Sequence, residues 1–193
     1  MEINDRLITE VVIDDFAPIK SPMRTVQQVA FLNIATLGIY QYYWFYCNWK
    51  DLVGVGLWDD KVNAFLRTIG LLIPIVGLFL AYDFFKRILF SLPIDDRSIN
   101  VTPGVLTALL FLSSRATIAL DKADYFPDWV SLVFPLAIST LVLTLFQPTL
   151  NQVHQQNSPV LSIQKSFSLI EKVLICIGGF LWFFILLGYL LPD

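Results

Sequence analysis

Thr36-Leu37-Gly38-Ile39-Tyr40-Gln41-Tyr42-Tyr43-Trp44-Phe45-Tyr46-Cys47-Asn48-Trp49-Lys50 decides how this chain is read. It is an uncharged apolar run that ends in packed aromatics and then a lysine. Trp and Tyr collect where a membrane meets water. The order therefore reads as a transmembrane helix reaching an interface, with Tyr43, Trp44, Tyr46 and Trp49 as the interfacial aromatics. Seven aromatics this close cannot share one helix face, so some are expected against lipid and some against neighbouring helices.

The rest of the chain agrees. Of its 193 residues, 56% are hydrophobic and 15% charged, whereas soluble domains carry about 25% charged residues. The apolar residues fall in runs, and about 20 such residues cross a bilayer core as a helix. Five segments qualify, near residues 26–46, 64–85, 103–120, 129–146 and 173–191. The expected fold is an all-α, polytopic membrane helix bundle behind an acidic N-terminal tail, residues 1–25. Pro103 suits a first helical turn, and Ser113, Ser114 and Arg115 interrupt the third segment. The short link from Asp121 to Asp128 predicts that segments three and four form a helical hairpin. Residues 147–171 read as a loop, with a Gln/Asn-rich stretch from Asn151 to Asn157.

Residues 1–16 lack the basic start and apolar core of a signal peptide. The first apolar run is thus expected to stay as an anchor. Lys and Arg gather on the cytoplasmic side of membrane proteins. Five crossings put eight of them (Arg6, Lys20, Arg24, Lys86, Arg87, Arg97, Lys165 and Lys172) on the N-terminal side. Three (Lys50, Lys61 and Lys122) fall on the other. The expectation is an inner-membrane protein with its N-terminus cytoplasmic and its C-terminus periplasmic.

Net charge is −3 and no basic block is present, so nucleic-acid binding has no electrostatic support. Cys47 and Cys176 sit in apolar settings outside any C-x-x-C pair and read as small buried thiols. His154 is the only histidine. It lies in the polar stretch, reads as solvated, and has no ligand neighbours at metal spacing. No catalytic or nucleotide-binding motif is found. No cofactor and no metal are expected, and an enzyme is not.

Ionisable residues inside membrane helices are costly and are functional candidates by default. Asp83 precedes Lys86 and Arg87 by three and four residues, which favours a local ion pair. Arg67 and Arg115 fall near the outer ends of segments two and three. They read either as snorkelling side chains or as two cations lining an outward-facing cavity, with Ser113 and Ser114 on its wall. Gly70, Gly77, Gly178 and Gly179 read as close-packing sites, and Pro74 and Pro135 as kinks.

The opening run also resembles a family of uncharacterised bacterial multi-pass inner-membrane proteins. Their first helix carries T-[FL]-G-[IL]-Y-x-x-Y-W-F-Y-x-N-W-K, matched here by Thr36, Gly38, Tyr40, Tyr43, Trp44, Phe45, Tyr46, Asn48, Trp49 and Lys50. Phe16-Ala17-Pro18, Phe85-Lys86-Arg87, Gln147-Pro148 and Gly178-Gly179 with Trp182 extend the likeness. The first loop is shorter than in such relatives, and Cys47 replaces a common basic residue. The resemblance implies membrane location and fold, and no activity. The expected role is non-catalytic: a scaffold that binds a lipid, a membrane-protein partner or a second copy. The rival is a small-solute or ion transporter using Arg67, Arg115 and Asp83. The two differ in whether those residues face one cavity.

Overall fold

A computed structural model describes residues 23–54, 56–58, 62–94, 97–122, 127–157, 163–164 and 166–191. The expected tail of residues 1–25 lies almost wholly outside them. Seven helices and no strand occur among the described residues. They are α1 (Val26–Ala35), α2 (Tyr40–Gly54), α3 (Ala64–Gly70), α4 (Pro74–Ser91), α5 (Pro103–Asp121), α6 (Asp128–Asn157) and α7 (Leu169–Leu190).

The first two expected segments are each broken in two. Residues 26–46 divide at Thr36–Ile39 between α1 and α2. Leu37 and Gly38 both have positive φ, 53° and 84°. The N–H of Gly38 reaches back to Asn33 O at 2.8 Å, and that of Leu37 to Ile34 O at 3.2 Å. This pair of bonds is the Schellman ending, which satisfies the last carbonyls of a helix. Thr36 Oγ1 then accepts from Tyr40 N at 2.9 Å and starts α2.

The second segment, 64–85, divides at Leu71–Ile73. A residue before proline is pushed out of the helical region, and Ile73 is extended at φ −89°, ψ 114°. Pro74 occupies the first turn of α4, where its missing N–H costs nothing. Gly77 lies so close to the turn that a Cβ there would sit 2.6 Å from Leu71 O. Proline here ends a helix instead of kinking it. Pro135 and Pro148, by contrast, lie inside a continuous α6.

The long helices are better capped. Thr102 starts α5. Ser168 and Glu171 form a reciprocal capping box at the start of α7, the pattern that pairs two orphan donors. The α6 helix runs on to Asn157, through the whole Gln/Asn-rich stretch and so through the first part of the segment read as a loop. Two helices, α6 and α7, are long and apolar enough to cross a membrane; among the described residues the other expected spans do not reach that mark.

The core is aromatic. Trp44, Phe45 and Trp49 of α2 pack with Phe84 and Phe85 of α4, Phe146 of α6 and the loop residue Trp58. Phe85 and Phe146 meet edge to face at 4.7 Å between centroids, and Phe45 and Phe84 at 4.9 Å. Trp44 and Trp49, expected at the water interface, are therefore buried, while Tyr43 and Tyr46 are half-buried. The α7 helix meets this core only at its margin, through the half-buried Leu174 and Ile175. It touches α1 where Gly178 meets Ala35 and Thr36, with no room for a side chain. Trp182 Nε1 donates to Ile34 O at 3.0 Å beside that contact.

Candidate functional site

Polar side chains collect along one stripe of α6. Thr140, Gln147 and His154 are spaced seven apart, and Asn151 fills the same face, the repeat that keeps residues on one side of a helix. Each meets a partner from α1, from α2 or from the chain just before α1. Asn33 of α1 donates to Ser139 Oγ at 3.2 Å and to Thr140 Oγ1 at 2.9 Å. Trp44 Nε1 donates to Gln147 Oε1 at 2.7 Å, and Gln147 Nε2 to Asn151 Oδ1 at 2.8 Å. Asn151 Nδ2 donates to Arg24 O at 2.9 Å. His154 Nε2 lies 3.2 Å from Asn48 Oδ1. His154 is only 5% exposed, so the histidine read as solvated is buried inside the bundle.

This seam ends at a buried ion pair. Arg24, 5% exposed, meets Glu171, 2% exposed. Arg24 Nε donates to Glu171 Oε1 at 2.9 Å, and Nη2 to Oε2. Arg24 Nη1 donates to the carbonyls of Ser166 at 2.7 Å and Gln164 at 3.2 Å. A charge stripped of water is tolerated only when paired and hydrogen-bonded, and here both conditions hold. The pair ties the chain before α1 to the first turn of α7. Breaking one side of such a pair typically costs 3–5 kcal/mol.

Beside the pair lies a cavity of about 50 Å³. Tyr40, Tyr43, Trp44 and Cys47 line it together with the polar Asn48, Asp51, His154 and Glu171. A water needs about 10–15 Å³ on a comparable measure, so a few waters or one small polar group fit.

Of the expected site residues, the aromatics Tyr43 and Trp44 line this cavity, while the polar candidates lie elsewhere and fall into two groups. Arg67 and Asp83 were expected near opposite ends of one segment. The turn at Leu71–Ile73 brings them together, with Arg67 Nη1 3.0 Å from Asp83 Oδ2. Arg87 Nε holds Asp83 Oδ1 at 2.9 Å, and Trp58 Nε1 donates to Oδ2 at 3.3 Å. The guanidinium of Arg67 lies over Trp49, and that of Arg87 over Trp58. Arg115 is not with them. It is exposed and lies over Phe111, 5.4 Å from the ring centroid. Ser113 is buried and Ser114 exposed; their hydroxyls donate to Leu110 O and Phe111 O in their own helix. Ser114 also edges a second cavity of about 70 Å³, between α2, the turn at Leu71 and α5.

No family model, curated protein or solved structure matches the chain. The functional reading therefore rests on the residues that line the cavity beside Arg24 and Glu171. Composition hid most of them. Arg24 and Glu171 are separated by 147 positions, and the Gln/Asn content of 151–157 looks like a loop. The seven-residue spacing of Thr140, Gln147 and His154 was the one local signal of a buried face.

Proposed function

We propose that this chain is a multi-pass integral membrane protein with no catalytic role, and that its cavity takes up one small polar group from the head of a membrane lipid. The cavity beside Arg24 and Glu171 carries this reading. It lies where α6 and α7 pass from polar to apolar sequence: Glu171 and Lys172 are followed by an uncharged run to Leu191. A polar, aromatic-walled recess at that depth faces lipid headgroups. Its frame is already closed by internal hydrogen bonds, so a guest need not order the wall on binding, which lowers the cost of association. The resemblance of the opening run to bacterial inner-membrane proteins supports that membrane as the location.

The transporter reading has less support. Arg67 and Asp83 close on each other, and Arg115 lies apart from both.

The test is lipid retention. The protein is purified in mild detergent, and bound lipid is weighed by native mass spectrometry. The chain is expected to keep about one tightly held lipid per copy, and a cavity-filling Cys47→Phe variant to lose it while keeping its melting temperature. Equal lipid retention by a folded Cys47→Phe protein would refute the assignment.

A further inference from the structure

We infer that α1–α2 and α3–α4 are half-depth hairpins, entering and leaving the bilayer through the same face, with only α5, α6 and α7 crossing it. The acyl chains of that one leaflet are the partner that covers the hairpins' exposed apolar faces. This rests on the membrane reading above and adds a topology to it.

Arg24 and Asn48 bracket the first hairpin. Both reach the same end of α6, through Asn151 and His154. Between them, Asn33 pairs with Thr140 and Gly38 lies against Leu136, far up the same helix. The chain thus climbs α6 and comes back. For the second hairpin the decisive contact is Arg67 with Asp83, 3.0 Å apart though 16 positions separate them. One straight helix would hold them about 24 Å apart.

Depth follows from length. The α1 helix has 10 residues, about 15 Å, or half of a ~30 Å hydrocarbon core. Both turns lie at one level, because Leu71 and Pro74 share the second cavity with Gln41 and Tyr42, just past the first turn. Around the second tip, Leu72, Ile73, Ile75 and Phe79 are exposed, Ile75 by 74%. No charge occurs between Arg67 and Asp83. Below the tip, Arg67, Asp83, Lys86 and Arg87 supply charge at headgroup depth.

The basic residues fall into line as well. Among the described residues, Arg24, Lys50, Arg67, Lys86, Arg87, Arg97 and Lys172 lie toward the cavity end, and Arg115 and Lys122 toward the other. That asymmetry puts the cavity end in the cytoplasm. Five crossings would instead send Lys50 to the opposite side.

Single cysteines test this once Cys47 and Cys176 are replaced by alanine. Asn63→Cys reports the link before α3, Ser98→Cys the link before α5, and Lys122→Cys the link before α6. A membrane-impermeant maleimide is applied to right-side-out and inverted vesicles. Asn63→Cys and Ser98→Cys are expected to label only in inverted vesicles, and Lys122→Cys only in right-side-out ones. A nitroxide on Leu72→Cys, whose side chain is exposed, is expected near the bilayer midplane. Labelling of positions 63 and 98 from opposite sides would overturn the hairpins and leave the membrane reading intact. A nitroxide at headgroup depth would do the same. Release of the protein from membranes by alkaline carbonate would instead overturn the membrane reading itself.

Discussion

The first and last apolar runs look alike in sequence and behave in opposite ways. Residues 26–46 and 173–191 are both uncharged and both about long enough to cross a bilayer. The last run forms one unbroken helix, α7, of 22 residues with most side chains exposed. The first turns back after 10 residues and buries its aromatics against α4 and α6. The difference lies in a few polar and turn residues. Asn33, Thr36 and Gly38 give the first run a place to end, and Gln147 and His154 of α6 give the returning arm partners in Trp44 and Asn48. In α7 the uncharged run offers no such stop; its Gly178 serves close packing instead. Apolar length licenses insertion into lipid, while local turn chemistry decides whether the chain goes through.

The clamp between the two regions should show the largest effect when broken. Arg24→Ala leaves Glu171 buried without its partner and is expected to cost about 3–5 kcal/mol. Denaturant titration in micelles measures it. An Arg24→Met, Glu171→Leu double variant should regain most of the loss, since two apolar groups can replace a buried pair. Failure of the double variant to recover would mean that the carbonyl bonds to Ser166 and Gln164 matter more than the charges.

Within the hairpin region, Phe84→Ala empties the centre of the aromatic core and is expected to cost about 3 kcal/mol. Tryptophan fluorescence should shift to the red with it, because Trp44, Trp49 and Trp58 all pack on that ring.

The turn itself gives a prediction of sign. Leu37 carries a left-handed backbone, φ 53°, which costs an L-residue about 1–2 kcal/mol. Leu37→Gly should therefore stabilise the protein, by about 0.5–1 kcal/mol after the loss of side-chain contacts. In a continuous helix the same change would destabilise by about 1 kcal/mol. A lower melting temperature for this variant would restore the straight first helix.

Arg115→Gln should do the least. The side chain is exposed and rests on its own helix, so a change below ~0.5 kcal/mol is expected in the same titration.

The helical class, the long apolar α7 and the α5–α6 pairing were legible from apolar runs and a short polar link. The fold-back of the first two segments was not. Hydropathy sums a window and cannot distinguish a helix that crosses from one that returns. Leu71-Leu72-Ile73-Pro74 is fully apolar, and only the restriction that proline places on Ile73 marks the break. The aromatics of α2 were readable as a cluster, but their destination depended on Phe84 and Phe146, far away in sequence. The candidate site was the least legible part. Arg67, Arg115 and Asp83 stood out because charge in an apolar run is conspicuous. The cavity is instead built from Asn48, Asn151, His154 and the Arg24–Glu171 pair, residues that look ordinary until the chain folds.

The common level of the two hairpin turns has a consequence for the membrane as a sheet. With the hairpins seated in one leaflet, all seven of the described helices cut through that leaflet and only α5, α6 and α7 through the other. The molecule then occupies unequal areas on the two sides, broad at the cavity end and narrow beyond the turns. Packed densely, such wedges would bow a bilayer convex toward the broad side. The diameter of reconstituted vesicles should fall as protein density rises.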